Sequence, residues 1–533
     1  MPQAAVTSVL ASSTGAESGA LAAVEEAIDS AFAPITEFAT KIIFFEVSVF
    51  GTSLPIVTFW LVAAAIILTI YFGGVQFRGF KLATEVVRGK YSHEADPGEV
   101  HHFQALTSAL SGTVGLGNIA GVGVAVTIGG PGATFWMIVA GLLGMATKFA
   151  ECTLGVKYRE VHEDGTVSGG PFRYLPVAFA RFGAVPAKVA TGLYAVAIIL
   201  FGVAGGNMFQ ANQTLAQAQA VTGGDDGPLG NDGAAFLFGL VLAGLVALVI
   251  IGGMRSIGRV TSRLVPAMAG LYVSASLLVV ALNLDYVPEA FGQILTGAFD
   301  PQGVAGGAIG VLIIGFQRAA FSNEAGLGSA AIAHSAVKTR RPVSEGFVAL
   351  LEPFIDTVVV CTMTALAIII AAPPLYAEAQ QAVADGGDAP DGVVVTSAAF
   401  ETVLPWFPVV LAVAVALFAF STLITWSYYG LKAWTTLFGR STFSENLYKV
   451  VFCTFTVIGS VLTFGQVLSF ADAMLFLTAF VNLIGVYLLL PVVKQEMREY
   501  LADRRSGKLA AEARLEPQHV GFHRGPGADM PPS

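Results

Sequence analysis

Charge is scarce in this chain. Lys, Arg, Asp and Glu together make up 12% of its 533 residues, about half the share usual in soluble proteins. Apolar residues make up 55%, which leaves no room for a large water-soluble domain and describes a chain built for a bilayer. The formal net charge is −9 and the basic residues fall in short scattered loops, so no surface for nucleic acid is expected. Cysteine is nearly absent: Cys152, Cys361 and Cys453 lie in apolar stretches at unrelated spacings. That excludes a disulfide framework or a thiolate metal cluster and leaves three small core residues. No basic segment precedes an apolar run at the N-terminus, so no cleaved signal peptide is expected. Histidine is rare too. His93, His101, His102, His162, His334, His519 and His523 all fall in expected loops or in the tail. No HExxH, His–Ser or paired-Asp arrangement lies within an apolar stretch, which speaks against an intramembrane enzyme. Repeated pore rings and a filter motif, which a channel would need, are missing as well.

What the chain does have is long apolar windows, of the roughly 17–25 residues a bilayer requires. Eleven spans are expected: 55–74, 104–128 (broken), 131–156, 189–215, 234–252, 262–284, 304–323 (broken), 346–372, 405–430, 447–465 and 468–493. The fold class is therefore an all-α polytopic membrane protein. The loops 216–233, 285–303 and 373–404 contain no Lys or Arg, whereas the alternate loops hold Arg78, Lys81, Lys157, Arg159, Arg255, Lys338, Arg341 and Lys432. The positive-inside rule then places the basic loops and the C-terminal tail in the cytoplasm and the N-terminus outside the plasma membrane. Residues 1–54 form an outer segment with an amphipathic, interfacial stretch near 25–50. Residues 494–533 form a cytoplasmic tail, largely disordered.

Residues 111–130 read SGTVGLGNIAGVGVAVTIGG. Each glycine inside a helix costs about 0.5–1 kcal/mol relative to alanine, so this segment is expected to unwind: helical to about Ser111, extended, and helical again from about Ile119. Irregular backbone survives in a membrane only where it lines a cavity or is buried in protein. A second interruption is expected around Gly310–Arg318. Each break opens a block of five spans, 104–284 and 304–493, with 55–74 as an extra helix before them. Five is odd, so the second block enters from the opposite side. Paired broken helices in inverted repeats point to a transporter site near the midplane.

The motifs GTVGLGNIAGV (112–122), GGPGATFWMIVAGLLGMATKFAEC (129–152), NMFQANQ (207–213), GFQRAAFSNEAGLGSA (315–330), FIDTVVVCT (354–362) and FAFSTLITWSYYG (418–430) resemble the alanine/glycine:cation symporters. The resemblance covers about residues 50–495. It implies a leucine-transporter-like fold with a five-plus-five inverted repeat, and uptake of alanine or glycine with Na⁺. Proton coupling and glutamine are the variants seen in the family. No cofactor is implied beyond Na⁺ as coupling ion, and the oligomeric state is not implied either.

The residues themselves suggest how. Gly115, Leu116 and Gly117 can offer backbone N–H groups and a helix dipole to a substrate carboxylate; their plain structural role would be close helix packing. Thr113, Val114 and Asn118 offer oxygens to a hard cation. Ser421 and Thr422 offer adjacent hydroxyls, which the resemblance pairs with the Val114 carbonyl as a sodium site; simple bonding back to a carbonyl one turn earlier is the alternative. Trp426, four residues after Thr422, shares its face and can wall a pocket down to methyl size. Gln210 is a mid-span amide that needs a partner. Gln317 and Phe316 in the second break are further substrate candidates, with freed carbonyls there for an ammonium group. Glu151, Glu352 and Asp356 are carboxylates within spans. The resemblance makes Glu151 a brace for the second break, with Lys148 three residues earlier as its plain partner, while Asp356 is a cation ligand candidate.

Overall fold

The computed structural model describes residue 23 and residues 26–49, 52–300, 307–385, 392–462 and 465–514. Among them, seven helices are long and apolar enough to cross a membrane: Gly132–Lys157, Ala184–Thr222, Asp232–Ile250, Gly253–Leu282, Pro342–Ala371, Phe407–Phe438 and Ser469–Arg505. Two bent pairs raise the number to nine if each is one span, Ile56–Tyr71 with Val75–Val87 and His102–Thr113 with Leu116–Gly129. The two remaining expected windows coincide with the helices Gly307–Asn323, of 17 residues, and Thr442–Val461, of 20. Asp232–Ile250 has only 39% of its apolar window buried and presents Phe236, Leu237, Leu240, Val241, Leu245 and Leu248 outward. A row of that kind suits hydrocarbon, not water.

Glycine sets the bends. Gly73 and Gly74 stand at φ +63° and +66°, a left-handed conformation open to glycine without steric cost, and the axis turns by 75° into Val75–Val87. The stretch carrying Arg78 and Lys81, expected as loop, is helical because Val75, Gly79, Leu82, Ala83 and Val86 recur on one face and are buried.

The first break falls where glycine density predicts it. His102–Thr113 ends, Val114 (φ −74°, ψ 91°) and Gly115 (φ −143°, ψ −153°) are extended, and the helix resumes at Ala120–Gly129. The first half runs two residues beyond Ser111, and a single 3₁₀ turn, Leu116–Asn118, fills the middle of the break.

The second break does not fall where it was expected. Gly307–Asn323 is helical throughout, including Gly310–Arg318, and the interruption comes at Glu324–Ser329, before the short helix Ala330–His334. The reason lies in how the glycines are used. Gly315 serves close packing, since a Cβ there would meet Trp136 Cβ at 2.6 Å and the Ala133 carbonyl oxygen at 2.8 Å. Gly326 and Gly328, at φ +99° and +80°, carry the chain through the break.

Two further helices are distorted rather than broken. Ala204–Met208 and Phe354–Cys361 are π-helical, a rare form that is frequent at functional sites. The last helix does not end near residue 493 but runs to Arg505, where Arg504 pairs with Glu85 at 3.0 Å. Near the N-terminus, the helix over 26–43 buries Ala39 and Ile43 and leaves Ile35, Phe38 and Ile42 exposed. Residues 1–22, and the part of the C-terminal tail beyond 514, which is expected to be disordered, lie outside the described residues.

Candidate functional site

The first break, the π-distorted helix, the second break and the helix Phe407–Phe438 line a small cavity. Gly112, Thr113, Gly115, Leu116 and Gly117 line one side, and Phe201, Gly205, Gly206 and Gln210 another. Phe321, Glu324, Thr422 and Trp426 complete it. Trp426 is 1% exposed. Its Nε1 donates to the Gly112 carbonyl at 3.3 Å, and its ring meets Phe201 edge-on with centroids 4.6 Å apart. The indole fits because residue 206 has no side chain: a Cβ there would lie 2.5 Å from Trp426 Cγ.

The polar atoms of this cavity are only partly satisfied. The Gly115 N–H donates to Asn118 Oδ1 at 2.8 Å, so it is committed to holding the break. Leu116 and Gly117 head the 3₁₀ turn, and their N–H groups have no partner within it. Gln210 donates through Nε2 to the Gly205 carbonyl at 3.3 Å, while its Oε1 is buried with no hydrogen-bond partner. Such atoms are rare in folded proteins and point to a missing ligand or water. Glu324 stands at φ +55°, a conformation that costs a non-glycine residue about 1–3 kcal/mol and that clusters at functional sites. Ser329 donates its hydroxyl to Glu324 Oε2.

Behind the cavity lies a buried cluster of oxygens. Asn118 Nδ2 donates to Asp356 Oδ1 at 2.7 Å and to Ser322 Oγ at 3.0 Å. The hydroxyls of Ser322 and Thr357 donate to Asp356 Oδ2 at 2.8 and 2.7 Å. Asn118 Nδ2 also has the Asp356 carbonyl at 3.2 Å and Cys361 Sγ at 3.3 Å. Four acceptors thus crowd an amide with two hydrogens. Among the described residues no group of three or more His, Cys, Asp or Glu stands ready for a transition metal. Hydroxyl and carboxylate oxygens instead make a hard donor set, the kind an alkali or alkaline-earth cation prefers, with the Asn118 amide turning its Nδ2 toward them and its oxygen toward Gly115.

The residues of the second expected cation group lie near the first break, but their hydroxyls show the alternative, bonding back to carbonyls of their own helices. Thr422 Oγ1 lies against the break, 2.7 Å from where a Cβ on Gly115 would sit. Val114 is fully buried beside it, its extended dihedrals turning the carbonyl out of the helical ladder. Ser421 and Thr422 both bond back to the Phe418 carbonyl, at 2.9 and 3.0 Å, and Thr113 reaches Ala109 and Leu110 carbonyls only at 3.4 Å. Phe316 and Gln317 are not brought to the cavity. The helix stays intact through both, and the break begins about two turns later; Phe316 packs near Trp136 instead.

Glu151 lies at the second break. Asn482 Nδ2 donates to Glu151 Oε1 and, at 2.9 Å, to the Gly326 carbonyl. Lys148 is not its partner: Lys148 Nζ pairs with Glu352 at 2.9 Å, both groups fully buried. The expectation that every histidine sits in a loop is corrected as well. His102 opens one half-helix and His334 closes another, and each is at most 4% exposed. Glu345 joins them, accepting from His334 Nδ1 at 2.5 Å and contacting His102 Nδ1 through its other oxygen. Arg159 adds carbonyl contacts to Pro97 at 2.8 Å, Ser335 at 2.8 Å and Thr339 at 2.6 Å. Burial lowers its guanidinium to about 10, still charged at neutral pH. The basic ends of the two broken helices are therefore stitched together.

A polytopic helical chain with an incompletely satisfied cavity at two helix breaks has the make-up of a membrane transporter. Comparison with known proteins agrees: the chain belongs to the sodium:alanine symporter family, which it matches over residues 36–514. The sodium/alanine symporter AgcS of Methanococcus maripaludis is 37% identical over 466 residues, 85% of this chain and 95% of that one. The probable sodium/glutamine symporter GlnT of Bacillus subtilis is 30% identical over 441 residues, 81% of this chain and 85% of that one. Among solved structures, MhsT in complex with L-phenylalanine is similar at 15% identity and a TM-score of 0.49, over 79% of this chain and 93% of that one. The relatives are transporters, and this chain is a multi-pass membrane protein of their kind.

Proposed function

We propose that the chain imports a small neutral amino acid, alanine foremost, together with Na⁺ by alternating access. The observation that carries this reading is the cavity itself, with free backbone N–H groups of Leu116 and Gly117, the unpartnered Gln210 Oε1 and the Trp426 ring around one small space. The substrate carboxylate lies at Leu116 and Gly117, where an unwound turn leads into a helix. Gln210 accepts from the substrate amine. Trp426 limits the side chain. One Na⁺ is held by Asn118, Asp356, Ser322 and Thr357, a second by the Val114 carbonyl with Thr113, Ser421 and Thr422; sodium bound there supplies positive charge that draws the break segments together. The scaffold is a leucine-transporter-like five-plus-five inverted repeat, with blocks 104–284 and 304–493, one helix before them, and the basic side facing the cytoplasm.

Uptake of labelled amino acids into liposomes tests this directly. Alanine should accumulate under an inward Na⁺ gradient and not when K⁺ replaces Na⁺. Glutamine is the second reading, suggested by the GlnT relative; accumulation of glutamine with no alanine uptake would replace the first. Proton coupling predicts uptake driven by a pH gradient without Na⁺. A further expectation concerns coupling. Thr422→Ala removes one coordinating hydroxyl oxygen and should raise the Na⁺ concentration for half-maximal uptake by about tenfold, equivalent to about 1.4 kcal/mol. An unchanged Na⁺ dependence in that variant removes Thr422 from the cation site.

A further inference from the structure

We infer that Glu324 is the counter-charge for the substrate's ammonium group and makes a free, charged amine a requirement for binding. The inference rests on the amino acid reading above and goes beyond it, since a carboxylate at this position selects a class of ligand. Glu324 lines the cavity and is 3% exposed. Its backbone is fixed on both sides: its N–H donates to the Ala320 carbonyl at 2.9 Å, and its carbonyl accepts from the Leu327 N–H at 3.1 Å. Ser329 takes Oε2. No described residue takes the other oxygen by a hydrogen bond. A carboxyl shut away from water needs a cation or a set of donors to stay ionised and otherwise takes up a proton, and the walls of the cavity supply no cation. No Lys or Arg lines the cavity. Lys148, the buried cation of the adjoining helix, is committed to Glu352 at 2.9 Å. Thr357 holds the Asn323 amide at 2.9 Å. The missing positive charge is therefore brought by the ligand.

The arrangement matches a zwitterion end to end. Backbone N–H groups at Leu116 and Gly117 face the carboxylate, and Glu324 with Gln210 faces the ammonium. Ligands that keep the carboxylate and lose the charged amine, such as lactate, propionate or an N-acetylated amino acid, leave Glu324 buried and unpaired. Ligands with an acidic side chain add a second negative charge beside it. Both classes should be rejected.

The experiment is competition against labelled alanine in proteoliposomes, for the wild type, Glu324→Gln and Glu324→Asp. The wild type should be inhibited by alanine and ignore lactate and propionate at a hundredfold excess. Glu324→Gln should raise the half-saturating alanine concentration at least tenfold and bring lactate within a few-fold of alanine as a competitor, with Na⁺ still required. Glu324→Asp keeps the charge and should keep the discrimination at reduced affinity. A Glu324→Gln protein with unchanged alanine affinity and unchanged rejection of lactate overturns the role of Glu324. If Glu324→Gln does not fold, wild-type inhibition by lactate as strong as by alanine overturns it equally. A wild type that accumulates no amino acid with Na⁺ sinks the underlying reading, a result separate from either of these.

Discussion

Asp356→Asn should lower Na⁺-driven alanine uptake at sub-saturating Na⁺ by at least tenfold and shift the half-saturating Na⁺ upward by a similar factor. The substitution keeps size and shape and removes one charge. In the native cluster the carboxylate accepts from Asn118 Nδ2 at 2.7 Å, Ser322 Oγ at 2.8 Å and Thr357 Oγ1 at 2.7 Å. An amide can accept at one atom only, so a donor now faces a donor. Losing one charged hydrogen bond costs about 1.5–3 kcal/mol, and each 1.4 kcal/mol is a factor of ten in affinity. Because Asn118 also fixes the Gly115 N–H at 2.8 Å, the break should loosen too, and alanine affinity should fall with that for Na⁺. Measuring melting temperature against Na⁺ concentration separates the readings. Cation binding at Asp356 predicts that Na⁺ stabilises the wild type and stabilises Asp356→Asn much less. Equal stabilisation of both proteins would leave Asp356 a purely structural residue.

The sequence made some of these contacts legible and hid others, for physical reasons. The first break was legible because Gly112, Gly115, Gly117, Gly121 and Gly123 have a local cost that no packing partner need be known to estimate. The second was misplaced because a glycine used for close approach and a glycine used for positive φ look alike in a sequence. Gly315 does the first against Trp136, and Gly326 and Gly328 do the second. Displacing the break moved the site from Gln317 to Phe321 and Glu324. Glu324 carried a signal of its own, an acid followed within four residues by two glycines in an apolar stretch. Gly205 and Gly206, in the π-helical turn, and Phe201, in the α-helix just before it, carried less, since that turn is a property of the packed helix. The bond from Lys148 to Glu352 spans 204 positions. No local spacing rule reaches that far, so for Lys148 the sequence offered only the i,i+3 pair with Glu151, the plain alternative to the brace.

Trp426→Leu should change what the transporter accepts more than how fast it works. A methyl side chain gains only about 0.8 kcal/mol from burial, so attraction cannot make the cavity prefer alanine over valine or methionine. Exclusion must do it. Overfilling a packed site costs roughly 1–3 kcal/mol, up to about a hundredfold in affinity. The Trp426 ring is placed for that task, held by Gly112 through Nε1 and clamped edge-on by Phe201 and Tyr429 at 4.6 and 5.2 Å. Leucine in its place should let valine, leucine or methionine compete with alanine where they do not in the wild type, with Na⁺ dependence retained. Gly206→Ala supplies the opposite perturbation. Its new Cβ would lie 2.5 Å from Trp426 Cγ and 2.8 Å from Trp426 Cβ, so the indole must move away from residue 206. Driven into the cavity, it should weaken alanine by tenfold or more and spare glycine, which has no side chain to collide. Opposite shifts in the two variants identify Trp426 as the wall. If competition profiles stay unchanged in folded, active Trp426→Leu, the limit on side-chain size lies with Phe201 or Phe321 across the cavity, and those rings are the next to shorten.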